Sequence, residues 1–176
     1  VLSSVMQFAM LPLQGLGQGA QPIISYNYGA QKTDRVKKAF RLLLLSSLCY
    51  SVALWILVMA VPKIFVMMFN SDADLVAYTV PALRIYLGAL FLFGIQVACQ
   101  MTFTSMGNAL ASVTVAVVRK FVLLLPLIYI MPLLYTSDKA TAVFMAEPIA
   151  DAIAVTFTVI LFFFQFRRFL RKMGGG

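Results

Sequence analysis

Apolar runs of about membrane-spanning length fill the intervals between three clusters of positive charge, and that alternation leaves this chain few folds to choose from. The clusters are Lys32, Arg35, Lys37, Lys38 and Arg41; Arg119 and Lys120; and Arg167, Arg168, Arg171 and Lys172. Together they hold eleven of the fourteen Lys and Arg residues. Two pairs of apolar runs lie between the clusters, and a further run precedes the first. A bilayer interior admits only helices or closed barrels, and each helical crossing takes about 20 apolar residues, so a chain of this pattern crosses and returns twice from one basic side. Asp72, Asp74 and Asp138 fall in the opposite turns. By the positive-inside rule the basic side and the C-terminus are cytoplasmic, which makes the expected location the cell (inner) membrane, multi-pass.

The expected fold is therefore an all-α integral membrane protein of five spans, near residues 2–28, 42–61, 84–107, 113–135 and 142–166. These form one unit over residues 1–173, and residues 174–176 are a disordered glycine tail. A 62% hydrophobic content with 11% charged residues excludes a soluble domain, where apolar residues make up about half and charged ones about a quarter. The net charge of +8 does not point to nucleic acid, because the basic residues flank apolar runs instead of forming one stripe with stacking aromatics. Cys49 and Cys99 lie inside expected spans without CxxC spacing, and there is no His, so no metal site, disulfide framework or cofactor is expected. Val1 opens in an apolar run with no initiator Met and no basic n-region, which reads as a chain whose upstream part lies elsewhere rather than as a signal peptide.

Local signals set the boundaries. Pro62 stops the second span, and the short apolar stretch 63–69 lies at the outer interface, followed by Ser71 as a helix cap with Asp74 three residues on. Residues 108–120 form a short cytoplasmic connection of some helical character that carries Arg119 and Lys120, and Pro126 and Pro132 kink the fourth span.

Polar residues inside the spans are the candidates for function. At 100° per residue Ser3, Gln7, Gln14, Gln18, Gln21 and Ser25 project from one sector of the first helix, an uncharged stripe that must face other helices or water. Either interhelical hydrogen bonds or a water-filled pathway meets that demand. Gly15 and Gly19 form a GxxxG on an adjacent face, a pattern of close helix packing. In the third span Phe93, Gln96, Gln100 and Phe103 share a face of ring walls and amides suited to lipophilic organic molecules. The fifth span carries the only acids within the membrane, Glu147 and Asp151, one turn apart. Intramembrane carboxylates are candidates for carrying a proton or countering a cation.

The stretch from Gly15 through Gln18, Pro22, Ser25, Tyr26, Asn27 and Tyr28 to Ala30, followed by Lys32, Arg35, Val36 and Lys37, resembles a signature of the MATE (multidrug and toxic compound extrusion) transporters. The resemblance is to the DinF-like or MepA-like bacterial branch, and it continues through Phe69 to Asp72, Leu83 and Arg84, Gly94 with Gln96, Gly107, Arg119, and Pro148 to Asp151. It implies that the five spans are helices eight to twelve of a twelve-helix protein of two six-helix lobes, so that the partner is a missing N-terminal lobe. It also implies export of amphipathic, often cationic organic compounds through a cavity between the lobes, with H⁺ or Na⁺ flowing inward. Gln14, Gln18, Gln21, Ser25, Phe93, Gln96 and Gln100 are then the cavity-lining candidates, and Asp151 and Glu147 the cation or proton candidates. Sodium-type members place an acid in the tenth helix of this lobe, where the third span here has only Gln96 and Gln100.

Three other readings compete. A flippase of lipid-linked sugars from the same superfamily is disfavoured by the scarcity of Lys and Arg inside the expected spans. A membrane hydrolase using Glu147 and Asp151 lacks His, a metal-ligand set and a nucleophile motif, so no enzyme is expected. A helical subunit that transports nothing remains as the third. The topology has a direct test: in full-length protein cleared of its own cysteines, a Cys at Lys37 or Arg168 should resist an impermeant thiol reagent added to intact cells, and one at Asp72 should react. Labelling at position 37 from outside would sink the orientation.

Overall fold

The computed structural model describes residues 1–174. The elements in order are α1 (Leu2–Gly29), α2 (Thr33–Ala60), α3 (Pro62–Met67), α4 (Ala73–Tyr86), a 3₁₀ turn (Leu90–Leu92), α5 (Phe93–Ser105), α6 (Ala109–Val117), a π-helical segment (Val118–Leu124), α7 (Leu125–Leu134) and α8 (Lys139–Gly174). No strand occurs among the described residues. Gly174 closes α8 instead of opening a tail, and residues 175–176 lie outside the described residues.

Three helical stretches are long and apolar enough to cross a membrane, Thr33–Ala60, Ala109–Leu134 and Lys139–Gly174, and the bent pair Ala73–Tyr86 with Leu90–Ser105 makes a fourth. At 28 residues α1 equals α2 in length, but its glutamines and glycines dilute its apolarity and it does not qualify with them. The second helix starts at Thr33, well before the expected residue 42, so Arg35, Lys37, Lys38 and Arg41 ride on its first turns rather than in a loop. The α1–α2 connection needs only three residues, because Gln31 adopts a left-handed φ of 56° and lets the Lys32 N–H reach back to the Asn27 carbonyl at 2.9 Å.

The third pass is broken. α4 and α5 meet at 43° across residues 87–92, where the helical hydrogen bonding lapses and carbonyls are freed. In a bilayer those carbonyls have no water to turn to. α2 supplies the donors: the Trp55 indole N–H donates to the Gly88 carbonyl at 3.1 Å, and the Ser51 hydroxyl to the Phe91 carbonyl at 3.1 Å. Gly94 allows α2 this close. A Cβ there would sit 2.5 Å from the Ser47 carbonyl oxygen and 2.6 Å from the Ser51 hydroxyl. Around this contact Val58, Leu83, Leu87, Leu90, Phe93 and Val97 build the largest apolar core with Val5, Ala9 and Leu13 of α1.

Two expected boundaries shift. Asp72, not Ser71, caps α4: its Oδ1 accepts from the Asp74 N–H at 3.0 Å and the Leu75 N–H at 3.3 Å, a role an Asp fills as well as a Ser. The fourth pass is one rod from Ala109 to Leu134, because no residue before Pro126 stops a helix. The π turn falls just ahead of that proline, where a wider turn relieves the ring's clash with the preceding carbonyl. At the far turn Asp138 accepts from the Thr141 hydroxyl and from the Ala140 and Thr141 N–H groups, and these bonds, Thr141's first, hold its carboxyl below the usual range.

Ala142, Ala146, Ala150 and Ala154 recur every fourth residue along α8 and are all buried, a small-residue stripe that brings this helix close to α4 and α5. Lower down Phe162 stacks on Phe40 of α2 at 4.6 Å and meets Phe103 of α5 edge-on at 5.3 Å. Met173 packs with Ile24, Val36, Leu43 and Met106, so the first and last basic clusters share one end of the bundle. The GxxxG does not pack as expected. Gly15 and Gly19 face open space, while Gly17 between them lies against Met101, where a Cβ would be 2.6 Å from Cγ. Cys99 is buried in the core and Cys49 is exposed.

In full-length protein Gly94→Ala should cost about 1–3 kcal/mol, since the clash is with backbone that cannot step aside. Gly15→Ala should be neutral or stabilising by up to about 1 kcal/mol, because it meets nothing and removes a mid-helix glycine. Thermal unfolding in detergent separates the two.

Candidate functional site

Polar groups converge at two places. The first is a cavity of about 270 Å³ between α1, α5 and α6, lined by Gln14 and Gln18 with Gln100, Thr104 and Ser112 on its polar walls and Met101 among its apolar ones. Its geometry starts from Gly17, which lets α1 press against Met101 and so holds Gln14 and Gln18 to either side of the contact. The Thr104 hydroxyl donates to its own Gln100 carbonyl at 3.1 Å, and the Ser25 hydroxyl ties α1 to the Ser105 carbonyl at 2.9 Å. No charged group lines this cavity.

The expected lining set is thus divided. Gln14, Gln18 and Gln100 come together; Gln21 and Ser25 are half-buried further along α1, outside the cavity wall. Phe93 and Gln96 turn into the core, at 3% and 5% exposure. On the face that the helical wheel assigns to Phe93, Gln96, Gln100 and Phe103, Phe93 meets Arg119 of the fourth pass, Phe103 packs on Phe162 of α8, and only Gln100 reaches the cavity. The Gln96 side-chain oxygen is buried without a hydrogen-bond partner, as is the Ser47 hydroxyl.

The second place is an ion cluster at the bend of the third pass. Arg119 directs its Nε to Asp151 Oδ1 at 2.5 Å and its Nη2 to Glu147 Oε1 at 3.3 Å. Its guanidinium carbon stands 5.1 Å from the centre of the Phe93 ring. Lys120 Nζ approaches Glu147 Oε1 at 3.8 Å from the exposed side. Two positive and two negative groups therefore balance. Asp151 is 2% exposed, with Glu147 one turn before it on the same face of α8.

Arg119 and Lys120, expected at the end of a short connection, are carried on the continuous helical rod of the fourth pass. They lie about 15 Å into the rod that begins at Ala109, counting ~1.5 Å per residue over ten residues. The uncharged, largely apolar sequence on both sides of the pair, 109–118 and 121–134, with no turn residue beside it, was the available signal. Their place on the rod also removes the premise that cations are scarce inside the spans, although Arg119 is neutralised by its own carboxylates and adds no free charge to the amide cavity.

Residues 1–130 match the MatE family model. The chain belongs to the MatE family. Its fold is that of solved members: a multidrug resistance MATE family transporter of the MOP superfamily in an inward-facing conformation matches with a TM-score of 0.85 at 15% identity, over 96% of this chain and 39% of that one. An outward-facing conformation of a multidrug resistance MATE family transporter of that superfamily matches with a TM-score of 0.84 at 16% identity, over 94% of this chain and 37% of that one. A chain described as protein A shares 28% identity with a TM-score of 0.82, over 94% of this chain and 36% of its own length. Curated protein sequences yield no significant match. The MatE chain thus spans less than two fifths of the length of these structures.

Arg119→Gln in the full-length protein should cost about 3–5 kcal/mol, the loss expected when a buried carboxylate keeps its charge and loses its partner. Combining it with Asp151→Asn should cost less than the two single changes summed, and a double-mutant cycle on denaturant unfolding reads the difference. Additive losses would mean that the pair is not coupled.

Proposed function

We propose that this chain is most of the C-terminal lobe of a cation-coupled antiporter that exports amphipathic, often cationic organic compounds by alternating access. The observation that carries the proposal is the uncharged cavity of Gln14, Gln18, Gln100, Thr104 and Ser112 between α1, α5 and α6, which opens on an uncovered face where Gln14 and Gln18 are exposed. Amides and hydroxyls beside methionine side chains can hold a lipophilic cation without trapping it, since no fixed charge has to be released. The uncovered face is where an N-terminal lobe completes the cavity. A fold equally similar to inward-facing and outward-facing relatives suits a lobe that rocks as one body between the two states.

H⁺ or Na⁺ is the coupling ion in this reading, and Asp151 with Glu147 is an accessory site for it beside a principal site in the other lobe. The groups facing these acids are Arg119 and Lys120 from the fourth pass and Tyr86 from α4. An arriving proton on Asp151 would free Arg119 and loosen the fourth pass from α8, which is a differential effect on two conformations of the kind that coupling requires. A lipid-linked sugar flippase would instead need unpaired cations at the cavity, and the buried Arg119 is already paired. A membrane location with a cytoplasmic C-terminus is the reading supported by the basic residues that open α2 and close α8 at one end of the bundle.

Gln18→Leu or Gln100→Leu in the full-length protein should change which compounds cells resist while membrane abundance holds. Parallel loss of abundance and resistance would make both packing residues. Asp151→Asn should weaken pH-driven efflux of a cationic dye from vesicles more than that of a neutral one, and wild-type rates for both dyes across the pH range would show Asp151 to be structural.

A further inference from the structure

The last three turns of α8 carry four cations that the ion cluster does not use. Arg167, Arg168, Arg171 and Lys172 are all exposed, and none forms a salt bridge among the described residues. No acid occurs in the sequence after Asp151, and the basic cluster at the start of α2, at the same end of the bundle, holds a single acid, Asp34. Unpaired positive charge at this density calls for an external anion.

Two clefts meet at these residues. One, of about 620 Å³, is bounded by Phe164, Arg167, Arg168, Arg171 and Lys172. The other, of about 300 Å³, lies between α8 and the turn after α5, where Asn108 and Gln165 join Arg168 and Lys172. Arg168 and Lys172 are common to both. The surface immediately towards the bundle centre is of the opposite character: Phe157, Ile160 and Phe164 are 36%, 53% and 67% exposed and stand on the side of α8 that leads to Arg168 and Arg171. The Arg167 guanidinium folds over the Phe163 ring at 4.5 Å, which keeps the cation at the edge of the apolar surface.

We propose that this end of α8 is a binding site for an anionic phospholipid of the adjoining leaflet. Its phosphate is held by Arg168 and Lys172 with Arg171 beside them, and an acyl chain lies along Phe164, Ile160 and Phe157. The juxtaposition favours a lipid over a free phosphate, because a soluble anion makes no use of an exposed aromatic and aliphatic strip continuous with the cations. The planar guanidinium of Arg168 offers paired donors to phosphate oxygens, and the Lys172 ammonium adds a point charge.

The test uses the full-length protein purified in a mild nonionic detergent, with phosphatidylglycerol or phosphatidylcholine added and retained lipid read by native mass spectrometry. Wild type should retain phosphatidylglycerol in clear preference. Arg168→Gln with Lys172→Gln should weaken that retention roughly thirtyfold, from the loss of two interfacial cations. Arg168→Lys with Lys172→Arg should keep it, which separates charge from fold. If inorganic phosphate displaces the lipid, the site is one for free anions and the lipid assignment falls. Equal retention of the two lipids by wild type overturns the proposal without recourse to any variant, as does unchanged retention by the glutamine pair.

Discussion

The architecture depends on how the broken third pass satisfies its backbone. Each carbonyl freed between Tyr86 and Phe93 is a polar group in a medium without water, at a cost of several kcal/mol if left alone. Trp55 and Ser51 of α2 meet two of them, and Gly94 provides the clearance. The tie explains why α2 and α5 pack so closely and why Leu87, Leu90 and Phe93 enter the same core as Leu13 and Val58. A straight third helix would need neither donor and would aim Phe93 elsewhere.

The bend then determines where charge can be buried. Phe93, at the first turn beyond the break, supplies a ring face for Arg119, and the alanine stripe of α8 draws Glu147 and Asp151 within reach of the same guanidinium. A charged residue this deep is tolerated because each partner meets the other's desolvation. The fourth pass packs against little else: Leu110, Phe121, Tyr129, Leu133 and Leu134 are all exposed on it. Arg119 is accordingly the principal polar tether of that pass to α8, and a change in its pairing bears on the helix least held by packing.

The amide cavity and the ion cluster lie on different sides of α5. Gln100 faces the first, and the Phe93 ring takes the Arg119 guanidinium of the second. A neutral polar cavity and a separate, balanced set of charges thus stand apart in this MatE chain, with α5 between them. The Gln96 amide of α5 is buried with its oxygen unmet and belongs to neither group.

One-dimensional properties of the sequence were enough to determine an all-helical fold of long apolar helices, the gathering of the first and last basic clusters at one end, the amide stripe of α1 and the shared face of Glu147 and Asp151. Helix hydrogen bonds are local, and periodicity along the chain therefore reports which residues share a face. The opposing partner of each face is decided only by tertiary structure. That is why Arg119 proves to belong to a buried ion pair, why Gly17 and not Gly15 or Gly19 makes the close contact, why Gln96 lies outside the expected cavity, and why the third pass breaks where α2 has donors to offer. Each of these outcomes depends on an atom contributed by a different helix, and no spacing within one segment encodes it.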